Sequence, residues 1–190
     1  EVISSKLKVP LIKINVGNKK SLIETLNGKH KLLKNTIHED KYVQAIIHFA
    51  ALTNIRDSFH NPIHYFKNNV LETINLLEVL CDKELNSYRK ESIPIPIIFS
   101  SSCATYGIPK KLPIDEYFPQ KPINPYGKYK LIIEMILKDF AKAYNLTSII
   151  LRYFNASGAS EDVFFGENRK KETHLIPLAI NSALGFNKNF

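Results

Sequence analysis

The sequence predicts an α/β fold with a doubly wound parallel sheet. Three observations lead to this prediction: short apolar runs alternate with helix-length segments, no hairpin turn joins two of the runs, and polar side chains gather where the runs end. The carboxyl ends of parallel strands form the edge of the sheet where ligands bind. The polar side chains therefore predict a binding site along that edge.

Four apolar runs are predicted to be strands. The first alternates apolar and polar residues, whereas the second is nearly continuously apolar, as strands buried on both faces of a parallel sheet are. The third lies between prolines and serines, and the fourth ends in aromatic residues. The four runs are residues 11–16, 42–51, 95–99 and 148–154. His48, inside the second run, is predicted to be a hydrogen-bonded core group because lone histidines in buried strands usually are.

Helices are predicted between these strands and after the last one. A short helical pattern lies within residues 21–33, and Gly28 with the lysines that follow marks a helix end and a loop. Asn61-Pro62 and Asn124-Pro125 each have the cap and proline that begin a helix. A last helix is predicted from residue 174 to 183.

Two polar stretches are predicted to be loops. Residues 82–92 are charged and are expected to be exposed and mobile, whereas residues 110–122 are punctuated by prolines. The second loop is expected to return the chain from the third strand to the helix that begins after Asn124.

A tyrosine and a lysine four residues apart open that helix. Tyr126 and Lys130 therefore share one face of its first turns. A lysine ammonium beside a phenol favours the phenolate, which lowers the phenol pKa and makes a usable base. Ser102 follows the third strand at the ligand edge, where its hydroxyl can share a proton with a substrate. A lone pair at this spacing is usually an ordinary surface pair, but the serine favours a catalytic trio of Ser102, Tyr126 and Lys130.

Composition limits the other classes of function. The net charge of +8 is compatible with a nucleic-acid partner, but the basic residues are spread along the chain. Cys81 and Cys103 have neither a disulfide framework nor a metal-ligand spacing. No apolar run approaches the length of about 20 residues that a membrane-spanning helix needs. We therefore expect no metal, no membrane and no nucleic acid.

Three segments resemble a known family. They are residues 99–107 (FSSSCATYG), 125–130 (PYGKYK) and 151–159 (LRYFNASGA). Together with the trio above, they resemble the extended short-chain dehydrogenase/reductases and, among these, the UDP-glucose 4-epimerases. The similarity extends from about residue 15 to residue 184.

The resemblance implies a Rossmann-like fold that lacks its first strand, its glycine loop and most of the C-terminal substrate domain. The chain is therefore expected to be a fragment. Residues 1–160 are expected to form part of an NAD-binding domain, and residues 161–190 the start of a sugar-nucleotide-binding domain.

The resemblance also implies NAD as the cofactor and a UDP-sugar as the substrate. The family's acidic residue facing the adenine is Asn15 here, whose amide oxygen can still accept a hydrogen bond. The implied cofactor-binding residues are Asn15, Phe49, Ala50, Ala51, Asn69, Ser100, Tyr126, Lys130 and Tyr153. The implied substrate-binding residues are Ser102, Tyr126, Asn155, His174 and Leu175.

The implied activity is the interconversion of UDP-galactose and UDP-glucose through a 4-keto sugar, in a cytoplasmic homodimer. Sugar-nucleotide dehydratases of the family carry an Asp-Glu pair after the serine, and this chain has none there. The alternatives are an epimerase for UDP-pentoses or UDP-N-acetylhexosamines, a truncated binding module without catalysis, and a basic nucleic-acid-binding domain.

Overall fold

The computed structural model describes residues 9–88, 93–162, 164–166 and 172–186. The chain divides into two compact units, Glu1–Arg152 and Tyr153–Phe190, and each is described by itself. The domain boundary predicted after residue 160 stays a prediction.

A three-stranded sheet runs through the first unit in the order β1-β2-β3. The strands are β1 (Ile46–His48), β2 (Ile97–Ser102) and β3 (Ser148–Tyr153). β1 and β2 are parallel, with Ile46 opposite Ile97 and His48 opposite Phe99. The amide of Ile97 donates to the carbonyl of Thr147 at 3.0 Å, so β2 and β3 begin at the same edge, as parallel neighbours do. The predicted α/β class with a parallel sheet is confirmed.

The strand predicted at residues 11–16 is wrong: the structure has no strand there. Ile14 and Val16 still pack against the core, which accounts for the alternating sequence pattern. A strand also needs a neighbour for its backbone hydrogen bonds, and no described residue forms a ladder with this segment.

Helices precede, separate and follow the strands. They are α1 (Lys19–Leu26), α2 (Ile55–His60), α3 (Pro62–Phe66), α4 (Glu72–Leu80), α5 (Lys83–Tyr88), α6 (Pro125–Tyr144) and α7 (Leu175–Ala183). A π-turn at Lys67–Leu71 joins α3 to α4, and 3₁₀ turns lie at Lys31–Leu33 and Cys103–Thr105. Asparagine side chains accept the free amides at the N-termini of α1, α2 and α6, and these caps are Asn18, Asn54 and Asn124.

The loop predicted at residues 82–92 contains a helix instead. The Asp82 carboxylate accepts the amide of Leu85 at 2.9 Å and starts α5, and Leu85 is fully buried. The sequence does contain a signal for this helix, namely an aspartate at the N-cap position, Asp82, followed three residues later by the apolar residue Leu85. The part of the prediction that concerns residues 89–92 lies outside the described residues.

The core lies between one face of the sheet and the helices α1, α4 and α6. Its fully buried side chains include Leu77, Leu80, Ile97, Phe99, Ile133 and Leu137. The opposite face carries Ile47, Ile149 and Leu151, which are 60%, 55% and 38% exposed. The prediction that the second strand is buried on both faces is therefore wrong, because the described helices that share the core pack on one side.

None of the described helices is both long enough and apolar enough to cross a bilayer. In the same residues, no three His, Cys, Asp or Glu side chains are arranged to hold a metal ion.

Candidate active site

The N-terminus of α6 lies against the end of β2. The Asn124 side chain accepts the amide of Gly127 at 2.7 Å and caps the helix. A Cβ atom on Gly127 would lie only 2.4 Å from the carbonyl oxygen of Ala104, in the turn that follows Ser102. Glycine is therefore required at this position, because any side chain would push α6 away from the end of β2.

Tyr126 and Lys130 point from α6 into this contact and are 8% and 3% exposed. Lys130 Nζ donates to the carbonyl oxygen of Ser100 at 2.6 Å and lies 5.7 Å from the centre of the Tyr126 ring. Ser102 interacts with the Tyr126 hydroxyl. The structure thus brings together the three residues that the sequence singled out as catalytic, together with the backbone of Ser100.

The pKa values in this cluster are governed mainly by burial. Burial raises the pKa of the Tyr126 phenol, although the hydrogen bond with Ser102 acts in the opposite direction. Burial lowers the pKa of Lys130 to about 8. The sequence led us to expect that Lys130 lowers the Tyr126 pKa below its ordinary value. In the structure, burial raises the Tyr126 pKa, and the group that acts to lower it is Ser102 rather than Lys130.

A buried carboxylate fixes α6 to the sheet one turn beyond Lys130. Glu134 is fully buried and accepts hydrogen bonds from three side chains: Ser101 Oγ, Gln120 Nε2 at 2.9 Å, and Arg152 Nη2 at 2.7 Å. Burial alone would raise the Glu134 pKa, but the bonds from Arg152, Ser101 and Gln120 lower it overall. Arg152 also donates to the Tyr106 hydroxyl at 2.8 Å. This network fixes the register of α6 against β2 and β3.

A cavity of about 620 Å³ opens beside the end of β1. Three of the predicted cofactor residues line it, namely Asn15, Ala50 and Ala51. The remaining lining residues are Lys13, Ile14, Val16, His48, Leu52, Asn68 and Glu72. Phe49, also predicted to bind the cofactor, is 60% exposed and does not line this cavity.

The neighbouring asparagines of the π-turn have different surroundings. Asn69 is buried, and its amide both accepts from Leu52 N at 2.8 Å and donates to Leu52 O at 2.9 Å. Asn69 therefore holds the loop that carries Ala50 and Ala51, whereas Asn68 lines the cavity itself. Direct cofactor contact by Asn69 stays a prediction, and Asn68 is the residue that sequence reasoning passed over.

His48 is the buried core group that the sequence predicted, although it also lines the cavity. The Thr73 hydroxyl donates to the Asn69 carbonyl at 2.6 Å, so it must accept from His48 Nε2, which lies 3.0 Å away. Burial and the nearby charge of Lys130 lower the His48 pKa to about 4. The imidazole is therefore neutral at physiological pH.

Comparison with known proteins places this arrangement in a family. The sequence profile of the NAD dependent epimerase/dehydratase family matches residues 13–187. The chain belongs to that family. A UDP-glucose 4-epimerase of Rhizobium leguminosarum bv. trifolii is 44% identical over 146 residues, which are 77% of this chain and 42% of the relative. One from Streptococcus mutans serotype c is 41% identical over 155 residues, 82% of this chain and 44% of the relative.

Solved structures agree with the sequence relatives. UDP-glucose 4-epimerase from Brucella ovis, in complex with NAD, superposes with a TM-score of 0.76 at 41% identity and covers 94% of this chain and 49% of that one. The Bifidobacterium longum enzyme, in complex with NAD⁺ and UDP, gives 0.73 at 32% identity and covers 98% and 51%. The chain thus spans about half of the length of these members of the epimerase/dehydratase family.

The remaining predicted site residues of this family member lie in the second unit. Tyr153, Asn155 and Leu175 are exposed, and His174 precedes α7. The amide of His174 donates to the Glu172 carboxylate at 2.8 Å. The roles of these four residues toward cofactor and substrate stay predictions.

Proposed function

We propose that the full-length protein containing this chain is an NAD-dependent UDP-glucose 4-epimerase, an isomerase of the epimerase/dehydratase family. The observation that carries the proposal is the meeting of Ser102, Tyr126 and Lys130 at the carboxyl end of β2. Relatives about 40% identical are UDP-glucose 4-epimerases, which supports this reaction over the alternatives.

The residues that line the cavity are compatible with part of an NAD molecule. Ala50 and Ala51 have side chains small enough to leave room for a flat ring, and Oε2 of Glu72 is buried without a protein partner among the described residues. The Lys130 ammonium lies 4.8 Å from the centre of the Phe99 ring, which stacks on His48 in the cavity wall. When bound, NAD would accept a hydride from C4 of the sugar and return it to the opposite face.

The chain's own residues would move the proton. Tyr126 takes the proton of the C4 hydroxyl, and the Ser102 hydroxyl orients that group and shares the proton. Lys130 supplies positive charge for the phenolate, and its bond to Ser100 O fixes where the ammonium lies. The burial that raises the Tyr126 pKa also keeps water away from the proton being transferred.

The substrate, the homodimer and the cytoplasmic location belong to the same proposal. UDP-galactose is the first substrate to assay, and UDP-pentoses and UDP-N-acetylhexosamines test the alternatives. Light scattering of the purified full-length protein tests the homodimer.

The proposal is tested by replacing Tyr126 with phenylalanine in the full-length protein. We expect kcat for conversion of UDP-galactose to fall by about 10²- to 10⁴-fold, with UDP binding within a few fold of wild type, since only the proton acceptor is lost. Tyr144→Phe, at the exposed end of α6, is the matched control and should leave kcat unchanged. Near-normal turnover of Tyr126→Phe would show that Tyr126 is not the proton acceptor. If the wild-type protein released no NAD on unfolding, the proposed NAD-dependent epimerase activity would be contradicted.

A further inference from the structure

One wall of the 620 Å³ cavity carries a carboxylate oxygen with no protein partner. Glu72 is the first residue of α4, and its Oε2 atom is buried without a hydrogen bond to any residue that the structure describes. Burying a carboxylate oxygen without a donor costs free energy. An acceptor left in this state beside a cavity is suited to a ligand that brings its own donor.

The chain makes room for this carboxylate. A Cβ atom on Gly17 would lie 2.4 Å from Glu72 Oε2, so any other residue at position 17 would displace it. Gly17 lies next to the cavity residue Val16, and its amide donates to Asn15 Oδ1 at 2.8 Å. The glycine and the glutamate therefore fit each other, and Glu72 lies against the segment that forms the cavity wall.

Two of the three amide side chains near the cavity bond to the backbone, and the third, that of Asn68, donates to Asn69 Oδ1 at 2.9 Å. Asn15 Oδ1 accepts the amide of Gly17, and the Asn69 amide bonds to both backbone groups of Leu52. An arriving hydrogen-bond donor would therefore compete with the backbone for these oxygens, whereas Glu72 Oε2 is not engaged. An ionised carboxylate accepts hydrogen bonds but cannot donate them, so it distinguishes a ligand with a hydrogen-bond donor from a ligand without one.

The walls beside Glu72 suit a flat, apolar ring. Ile14, Val16, Ala50 and Ala51 line the same cavity. NAD contains one ring of this kind that lies far from the reacting carbon, the adenine. Adenine has a flat apolar face, and the exocyclic amine at its edge is a hydrogen-bond donor. We infer that Glu72 accepts a hydrogen bond from the exocyclic amine of the adenine ring, and so makes the cofactor site select an amino-purine over an oxo-purine. This inference rests on the proposed NAD-dependent function and adds the residue that reads the base.

Direct binding measurements test the inference. Cofactor-free full-length protein is titrated calorimetrically with NAD and with its hypoxanthine analogue, in which an oxo group replaces the adenine amine. We expect the wild type to bind NAD at least about tenfold more tightly, as for loss of a hydrogen bond to a charged group. Glu72→Gln should reduce that preference at least about fivefold, since its amide can donate to the oxo group.

Two further variants complete the design. Glu78→Gln removes an exposed carboxylate from the same helix and should leave the preference at its wild-type value. Gly17→Ala keeps the Glu72 carboxylate but displaces it, so it should also reduce the preference, and it tests the position of the carboxylate separately from its charge.

The outcomes separate the inference from the function on which it rests. A wild-type preference that Glu72→Gln leaves unchanged overturns the inference alone, as does an equal loss of affinity for both dinucleotides, since the carboxylate would then contact a part they share. Absence of binding by either dinucleotide to the wild-type protein overturns the proposed function and the inference together.

Discussion

Two glutamates on different helices have opposite surroundings. Glu134, on α6, is fully buried and accepts hydrogen bonds from Ser101, Gln120 and Arg152. Glu72, on α4, has a buried oxygen with no partner among the described residues. A carboxylate whose acceptor sites are filled by protein donors can only hold structure together, whereas one without donors has binding capacity left for a ligand. The region that positions the predicted catalytic residues is therefore distinct from the region that carries the unpartnered carboxylate oxygen.

The largest effect is expected from breaking the satisfied carboxylate. Glu134→Gln keeps the volume but leaves the Arg152 guanidinium, whose side chain is 16% exposed, without its counter-charge. Removing one partner of a buried pair costs about 3–5 kcal/mol, so the urea midpoint of the full-length protein should fall markedly. Glu78→Gln, which breaks an exposed pair with Lys19, is the control and should cost less than about 1 kcal/mol. Equal losses in the two variants would contradict the structural role of Glu134.

The second effect concerns the stability of the protein in acid. His48 has a pKa of about 4 in the folded protein and 6.5 ordinarily, so the unfolded chain binds more protons between these values. Stability therefore falls as the pH drops from 6.5 toward 4, by at most about 3 kcal/mol from this group. His48→Gln, which keeps a donor toward Thr73, should show a shallower loss over that window in urea unfolding. A loss as steep as that of the wild type would assign the acid sensitivity to other groups.

The sequence motifs predicted that Ser102, Tyr126 and Lys130 lie together, but they did not predict the residues that hold these three in place. Ser102, Tyr126 and Lys130 were found because a strand end and a capped helix have local signals. The pairing of Glu134 with Arg152 depends on how α6 lies across β3, which no local pattern specifies. Asn68 and Asn69 are adjacent in sequence, and only the π-turn decides which of them lines the cavity. The segment 11–16 has the pattern of a strand, but its pairing depends on a neighbour that the pattern cannot reveal.

The third effect is expected at the contact between α6 and the end of β2. Gly127→Ala would place Cβ 2.4 Å from the Ala104 carbonyl oxygen, a backbone atom that cannot rotate away. We expect a loss of about 1–3 kcal/mol from overpacking, with kcat reduced because Ser102 and Tyr126 move apart. Gly166→Ala, where the nearest atom lies 3.5 Å from the added Cβ, is the control and should leave kcat unchanged. Unchanged kcat in Gly127→Ala would mean that this close contact does not position the trio.

The smallest effect on stability is expected from Glu72→Gln, which is the counterpart of Glu134→Gln in the comparison of the two glutamates. Glu72→Gln removes a charge whose Oε2 has no hydrogen bond to any described residue, so no native interaction of that oxygen is lost. We expect the free energy of unfolding of the cofactor-free full-length protein to lie no more than about 0.5 kcal/mol below that of wild type, since removing a buried, unpartnered charge also relieves its desolvation cost. The same substitution costs several kcal/mol at Glu134 in our first prediction, so urea unfolding of the two variants compares them directly. A loss at Glu72 as large as that at Glu134 would mean that the carboxylate has a structural partner, and its availability to a ligand would no longer follow.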